Sequence, residues 1–290
     1  MLDILAARFS FYSRFHKGDI SMRNFEFLSP TKLVFGKDSE LQTGAEVKKY
    51  SSKILLHYGS GSIKKSGLYD RITQSLKKEG IEYIELSGVQ PNPRLSMVRE
   101  GIKICRENKI GFILAVGGGS VIDSSKAISI GVPYQGDVWD FYAGKALPQE
   151  SIPIGAVVTI AAAGSETSMS SVITNEDGWY KRGLNHDITR ARFAILNPAL
   201  TATLPPFQTA CGVVDIMAHV MERYFTNEKN VDYTDRLCEA TLRTVIENGL
   251  CAMKDPTDYN ARAEIMFTGA IAHNDFLSAG RLGDWGSHLI

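Results

Sequence analysis

The stretch Phe112-Ile-Leu-Ala-Val116-Gly117-Gly-Gly-Ser120-Val-Ile-Asp123-Ser-Ser-Lys126 decides the fold. The apolar run 112–116 is too short for a buried helix and suits a strand covered on both faces. Three glycines break it, and the residues after Ser120 have helical character through Ala127. Glycines at such a turn let a phosphate approach the backbone, while the first amides of the helix point outward as donors. A tight turn without a ligand is the alternative. Ser120 and Asp123 also fit an S-x-x-D capping box, in which Asp123 would satisfy the helix start.

The same rhythm extends to both sides. Residues 53–58 form an apolar run that ends in Gly59-Ser-Gly-Ser62, followed by helical spacing over 63–79. Residues 81–86 alternate like a strand, Gln90-Pro-Asn-Pro93 turns the chain, and Leu95, Val98, Ile102 and Cys105 recur at helical spacing. Apolar runs at 152–160 and 192–196 supply later strands. Strands alternating with helices predict a mostly parallel sheet with helices on its faces. After Pro205-Pro206 the pattern is helical over 207–225, 235–248 and 261–273. The expected organisation is an extension over 1–21, an α/β dinucleotide-binding domain over 22–204, and an all-helical domain over 205–290. The extension lacks the apolar core and small-residue cleavage site of a secretory signal.

Composition narrows the function. The 290 residues carry 32 Lys plus Arg and 32 Asp plus Glu, so no net field draws nucleic acid or an anionic membrane. No apolar run is long enough to span a bilayer. Small-molecule chemistry is the default. Four cysteines without a CxxC pair read as buried thiols in a reducing, cytoplasmic compartment.

A second stretch, Gly212-Val-Val-Asp215-Ile-Met-Ala-His219, places a carboxylate and an imidazole one helical turn apart in apolar surroundings. Leaving both without a partner is costly, and a divalent cation such as iron(II) or zinc resolves it. A helix-surface Asp/His ion pair is the other reading. Gly283-Asp-Trp-Gly-Ser-His288 offers a third ligand. His57 and His273 read as hydrogen-bonded structural residues, and His186 receives no role. At the first glycine turn no acidic residue closes the strand to hold a ribose hydroxyl, and Lys64 and Lys65 stand nearby. That favours NADP(H) over NAD(H), with a solvated helix start as the alternative for the lysines.

Together Pro91-Asn-Pro93, the 117–126 motif, Ala163-Gly-Ser-Glu166, the 212–219 stretch and the 283–288 segment resemble the iron-containing alcohol dehydrogenase family, in particular its butanol dehydrogenase branch. The resemblance spans residue 22 to the last residue and implies a dehydroquinate synthase-like fold with a cleft between its two domains. It implies that Asp215, His219 and His288 are three of four ligands to Fe2+, or alternatively Zn2+. It also puts Gly61, Ser62, Asn92, Gly118, Gly119, Ser120, Thr159 and Lys181 at positions that touch the cofactor, and Asp123 of the glycine-serine motif is counted with them. The implied activity is hydride transfer between NADP(H) or NAD(H) and a small primary alcohol or aldehyde, such as butanol or butyraldehyde, in a homodimer formed through the N-terminal strands.

The family pattern continues beyond Ile290 with a further histidine, the fourth ligand and more helices. The chain is therefore expected to be a fragment with exposed apolar faces and impaired activity. Two other classes remain open: a nucleotide-binding protein without catalysis, and a metal-dependent lyase of the dehydroquinate synthase-like fold.

Overall fold

The computed structural model describes residues 22–162 and 164–289. The extension expected over 1–21 lies outside the described residues. Chain order runs β1 (Lys32–Phe35), α1 (Thr43–Val47), β2 (Lys53–Gly59), α2 (Ser62–Lys65), α3 (Leu68–Lys78), β3 (Glu82–Val89), α4 (Leu95–Asn108), β4 (Phe112–Gly117), α5 (Gly119–Gly131) and α6 (Trp139–Tyr142). It continues through β5 (Ile154–Val158), β6 (Ser170–Asn175), β7 (Tyr180–Asn185), β8 (Phe193–Leu196), α7 (Pro206–Tyr224), α8 (Asp232–Lys254), α9 (Tyr259–Ala272) and α10 (Gly286–Leu289).

Six strands form one sheet in the order β1-β8-β5-β4-β2-β3, and every neighbouring pair is parallel. Side chains alternate across it. Ile54, Leu56 and Tyr58 of β2 pack with Ile63, Leu68, Ile72 and Leu76 on one face, whereas Leu55 meets Leu95, Val98, Ile102 and Ile128 on the other. Both faces are buried, which is why β2 and β4 read as unbroken apolar runs. From β2 the chain steps outward to β3, then returns to place β4 on the opposite flank of β2. Strand order reverses there, and the carboxyl ends of β2 and β4 are the place where an open α/β sheet takes its ligand.

Some local expectations change. The helix predicted over 63–79 is two helices, because Gly67 adopts a left-handed φ of 73° between α2 and α3. Neither β1 nor the antiparallel hairpin β6-β7 was anticipated from periodicity. The helical region holds as read. α7 starts at Pro206, whose missing N–H costs nothing in a first turn. Ile216 and Val220 of α7 close a core with Cys238 and Val245 of α8 and Ile265 of α9. Phe207, Val214, Phe225, Leu250 and Phe267 are exposed. Cys105 and Cys238 are buried as expected, but Cys211 and Cys251 sit exposed on the outer sides of α7 and α8. No helix among the described residues is long and apolar enough to cross a membrane.

Two glycines fix how the helices meet the sheet. A Cβ on Gly212 of α7 would lie 2.2 Å from the Ala161 carbonyl oxygen, in the turn that follows β5. A Cβ on Gly164, whose φ is +63°, would lie 2.5 Å from the Gly269 carbonyl oxygen of α9. Backbone thus touches backbone at the seam between the two halves.

Candidate metal and nucleotide site

Asp215 and His219 share one face of α7, and His288 reaches the same point from α10. One ligand atom from each of the three lies within 4.8 Å of the others. The ring centroids of His219 and His288 are 4.3 Å apart, and His288 Nε2 is 4.0 Å from Asp215 Oδ1.

The hydrogen bonds fix the tautomers. His219 Nδ1–H donates to the Asp215 backbone carbonyl at 2.8 Å, and His288 Nδ1–H donates to Glu222 Oε1 at 3.0 Å. With Nδ1–H so engaged, the neutral form of each ring has its lone pair on Nε2, the form in which imidazole binds a metal. The ion-pair alternative fares worse. His219 is buried, burial pulls its pKa down, and its Nδ1 lies 3.6 Å from the Asp215 carboxylate, beyond a normal hydrogen bond. Carboxylate oxygen plus two such nitrogens is a donor set that fits iron(II) or zinc.

Two residues missed from the sequence complete the surroundings. Arg223, fully buried, donates through Nη1 to the His219 carbonyl at 2.6 Å and through Nη2 to His273 Nδ1 at 2.9 Å, with its guanidinium 4.5 Å over the Trp285 ring. His273 is hydrogen-bonded, as expected, and its ring centroid is 4.5 Å from that of His219. Because its Nδ1 accepts, its proton sits on Nε2. Glu222 is the second missed residue. Burial pushes its carboxyl pKa up, but hydrogen bonds from Ser287 and His288 outweigh that and hold it at about 2. The signal was present: Asp215, His219 and Glu222 follow one another at steps of four and three, one stripe of a helix.

The glycine turns lie where the sequence placed them. Gly61 and Ser62 follow β2, Asn92 follows β3, Gly118 to Ser120 follow β4, and Thr159 follows β5, so all of them line the carboxyl edge of four adjacent strands. Lys181 is exposed on β7. Gly118 is the N-cap of α5, and no side chain caps that helix, so its first amides, at the carboxyl end of β4, are left for an outside acceptor. A Cβ on Gly118 would come within 2.4 Å of Ile160 Cγ2, so close packing fixes this glycine as well.

The capping box does not form. Asp123 points into the protein, where Oδ1 accepts from Ser165 Oγ at 2.6 Å and Oδ2 from the Val172 amide at 2.9 Å. One turn on, the buried Lys126 ammonium donates to the carbonyls of Ser165, Ser168 and Ser170 at 2.7, 2.8 and 2.7 Å. Burial lowers its pKa to about 8, against the opposing pull of Asp123 and Glu166. The Glu166 carboxyl is raised to about 6 by the same burial. On its other side the 164–170 loop is tied to the helical half, with Thr167 Oγ1 donating to the Ala270 carbonyl at 2.6 Å. His57 is structural as expected: Nδ1–H donates to the Leu86 carbonyl and Nε2 accepts from Ser124 Oγ, both at 2.9 Å. His186 Nδ1 accepts from the Ile188 amide and caps a short turn.

A parallel sheet with glycine turns at its switch point, joined through a backbone seam to helices that gather carboxylate and imidazole, defines a nucleotide-binding α/β protein with a metal-ligating helical part. The comparisons with known proteins narrow this class. Residues 30–198 match the iron-containing alcohol dehydrogenase family, and residues 209–290 match the C-terminal region of the same family. The chain is 49% identical over 269 residues to a probable NADH-dependent butanol dehydrogenase of Bacillus subtilis, covering 93% of this chain and 69% of the relative. It is 36% identical to the NADPH-dependent aldehyde reductase YqhD of Escherichia coli, over 93% of this chain and 70% of that one. The crystal structure of NADH-dependent butanol dehydrogenase A from Thermotoga maritima superposes with a TM-score of 0.89 at 41% identity, covering 91% of this chain and 67% of that one. The chain belongs to the iron-containing alcohol dehydrogenase family.

Proposed function

We propose that the chain serves hydride transfer between a nicotinamide dinucleotide and a small primary alcohol or aldehyde, with Asp215, His219 and His288 holding Fe2+ or Zn2+. The observation that carries this is the meeting of Asp215 and His219, on the helix whose Gly212 abuts the turn after β5, with His288 from α10, each imidazole engaged through Nδ1 and presenting Nε2. A cation held there supplies Lewis-acid polarisation of the substrate oxygen, and the nicotinamide supplies or accepts the hydride.

The chain's own residues bind and orient. The amides that open α5 take the pyrophosphate, with Gly61, Ser62, Asn92, Thr159 and Lys181 around it. Asp123 and Lys126 hold the 164–170 loop, which Thr167 ties to the helical half. Burial, reinforced by the Arg223 charge, keeps His273 neutral, with an Nε2–H donor beside His219. On dinucleotide choice, Lys64 Nζ stands 3.3 Å from Glu85 Oε2 and 4.6 Å over the Tyr69 ring, a cation already engaged. With the NADH-dependent names of the relatives nearest 50% identity, this favours NAD(H), with NADP(H) the second reading. The same proposal includes a nucleotide domain over 22–204, a helical domain from 205, a cytoplasmic location, and a homodimer built on the edge strand β1.

Anaerobically purified protein loaded with Fe2+ or Zn2+ is expected to consume NADH with butyraldehyde. Undiminished turnover after Asp215→Ala and His219→Ala together would overturn the proposal.

A further inference from the structure

We infer that Glu222 is the positioning residue for His288: it anchors the segment that carries this imidazole and presents its Nε2 to Asp215 and His219. The inference rests on the reading of those three residues as a cation site.

His288 has little of its own to hold it. It sits on α10, a four-residue helix too short to be stable alone, after a Trp285 with φ of 61°. Asp215 and His219, in contrast, ride on the 19-residue α7, packed into the core through Ile216 and Val220. The third side chain therefore needs an external anchor, and Glu222 provides one at both ends of the segment. Its backbone carbonyl accepts from the Asp284 amide at 2.9 Å. Its Oε1 accepts from the Ser287 amide at 2.9 Å, the His288 amide at 3.2 Å and His288 Nδ1 at 3.0 Å, and also from Ser287 Oγ.

These bonds do three things. A carboxylate lent by α7 satisfies the first amides of α10, which no neighbour within α10 can reach. The contact to Nδ1 fixes the ring orientation and leaves the lone pair on Nε2. Finally, because Glu222 lies on the same face of α7 as Asp215 and His219, a single rigid helix sets the mutual placement of all three side chains. Glu222 is itself buried, at 6% exposure, and stands outside the group of atoms within 4.8 Å that Asp215, His219 and His288 form. Its role is to hold a ligand.

The test is cobalt(II) binding, read by equilibrium dialysis and by the visible absorption of the bound ion, for the wild-type chain, Asp215→Ala, Glu222→Gln and Glu222→Ala. Binding of NADH by fluorescence reports the integrity of the sheet half in every variant. Glu222→Gln keeps the volume but removes the charge, and is expected to weaken cobalt about 10-fold; Glu222→Ala is expected to weaken it about 100-fold, with an altered absorption band and unchanged NADH binding. Wild-type affinity and spectrum in both Glu222 variants, beside a loss in Asp215→Ala, would overturn the inference and leave the cation site standing. Loss in the Glu222 variants as complete as in Asp215→Ala would also overturn it, by making Glu222 a ligand. Equal cobalt binding in wild type and Asp215→Ala removes the cation reading and the inference with it. Should Glu222→Ala fail to fold, Glu222→Gln and its spectrum decide.

Discussion

Acidification from about pH 7 to about pH 5 is expected to unlock the nucleotide half of the molecule through His57. This imidazole lies in the interior between β2, β3 and α5, with both ring nitrogens engaged by Leu86 and Ser124. Burial pulls its pKa from 6.5 to about 4, only partly offset by the Leu86 bond. Between those values the unfolded chain binds a proton that the folded chain refuses, so stability rises with pH across the window. The contribution is fully present above the unfolded value and is lost as pH falls toward the folded one. Integrating between the two conditions gives a loss of about 2 kcal/mol, a large share of the margin of an ordinary domain. Urea unfolding at both pH values, for wild type and His57→Asn, isolates the effect. The asparagine keeps a donor for Leu86 and does not titrate, so the variant is expected to be weaker at neutral pH but to lose about 2 kcal/mol less on acidification. Equal losses in the two proteins would refute the assignment of a neutral, buried His57.

Two other substitutions probe the seam. Lys126→Met removes the cation from three carbonyls and leaves the Asp123 and Glu166 carboxyls buried without it; a loss of about 3–5 kcal/mol in urea unfolding with weakened NADH binding is expected, and unchanged stability refutes the strut. Gly212→Ala drives a methyl into the Ala161 carbonyl; it is expected to cost about 1–3 kcal/mol and to weaken cobalt binding by shifting α7, whereas a wild-type melting curve and affinity would show that the contact is slack.

The parallel sheet was legible because strands buried on both faces write themselves as apolar runs, as in β2 and β4, and because glycines punctuate their ends. The Asp215/His219 pair was legible because α-helical spacing is short-range. What escaped depends on distant partners. Asp123 satisfies a local capping pattern, yet its carboxylate goes to Ser165 and Val172, more than 40 positions away in sequence, and no window around the motif contains that preference. Lys126 reads as an ordinary polar position until three carbonyls of another loop surround it. His273 reads as a structural histidine, and the partners that gather around it, His219, Arg223 and Trp285, arrive from other segments. The hairpin β6-β7 fell between runs: only Leu184 on β7 is buried, so its apolar alternation is faint. Glu222, by contrast, was readable and overlooked, since it extends the Asp215/His219 stripe by one turn.

The glycine contacts at the seam have a mechanical corollary. Where side chains separate two layers, a small displacement is absorbed by rotamer adjustment; where main chain rests on main chain, as at Gly212 on Ala161 and Gly164 on Gly269, no such cushion exists. A displacement of the turn after β5 therefore meets no side chain at these contacts that could absorb it before α7 and its carboxylate–imidazole pair.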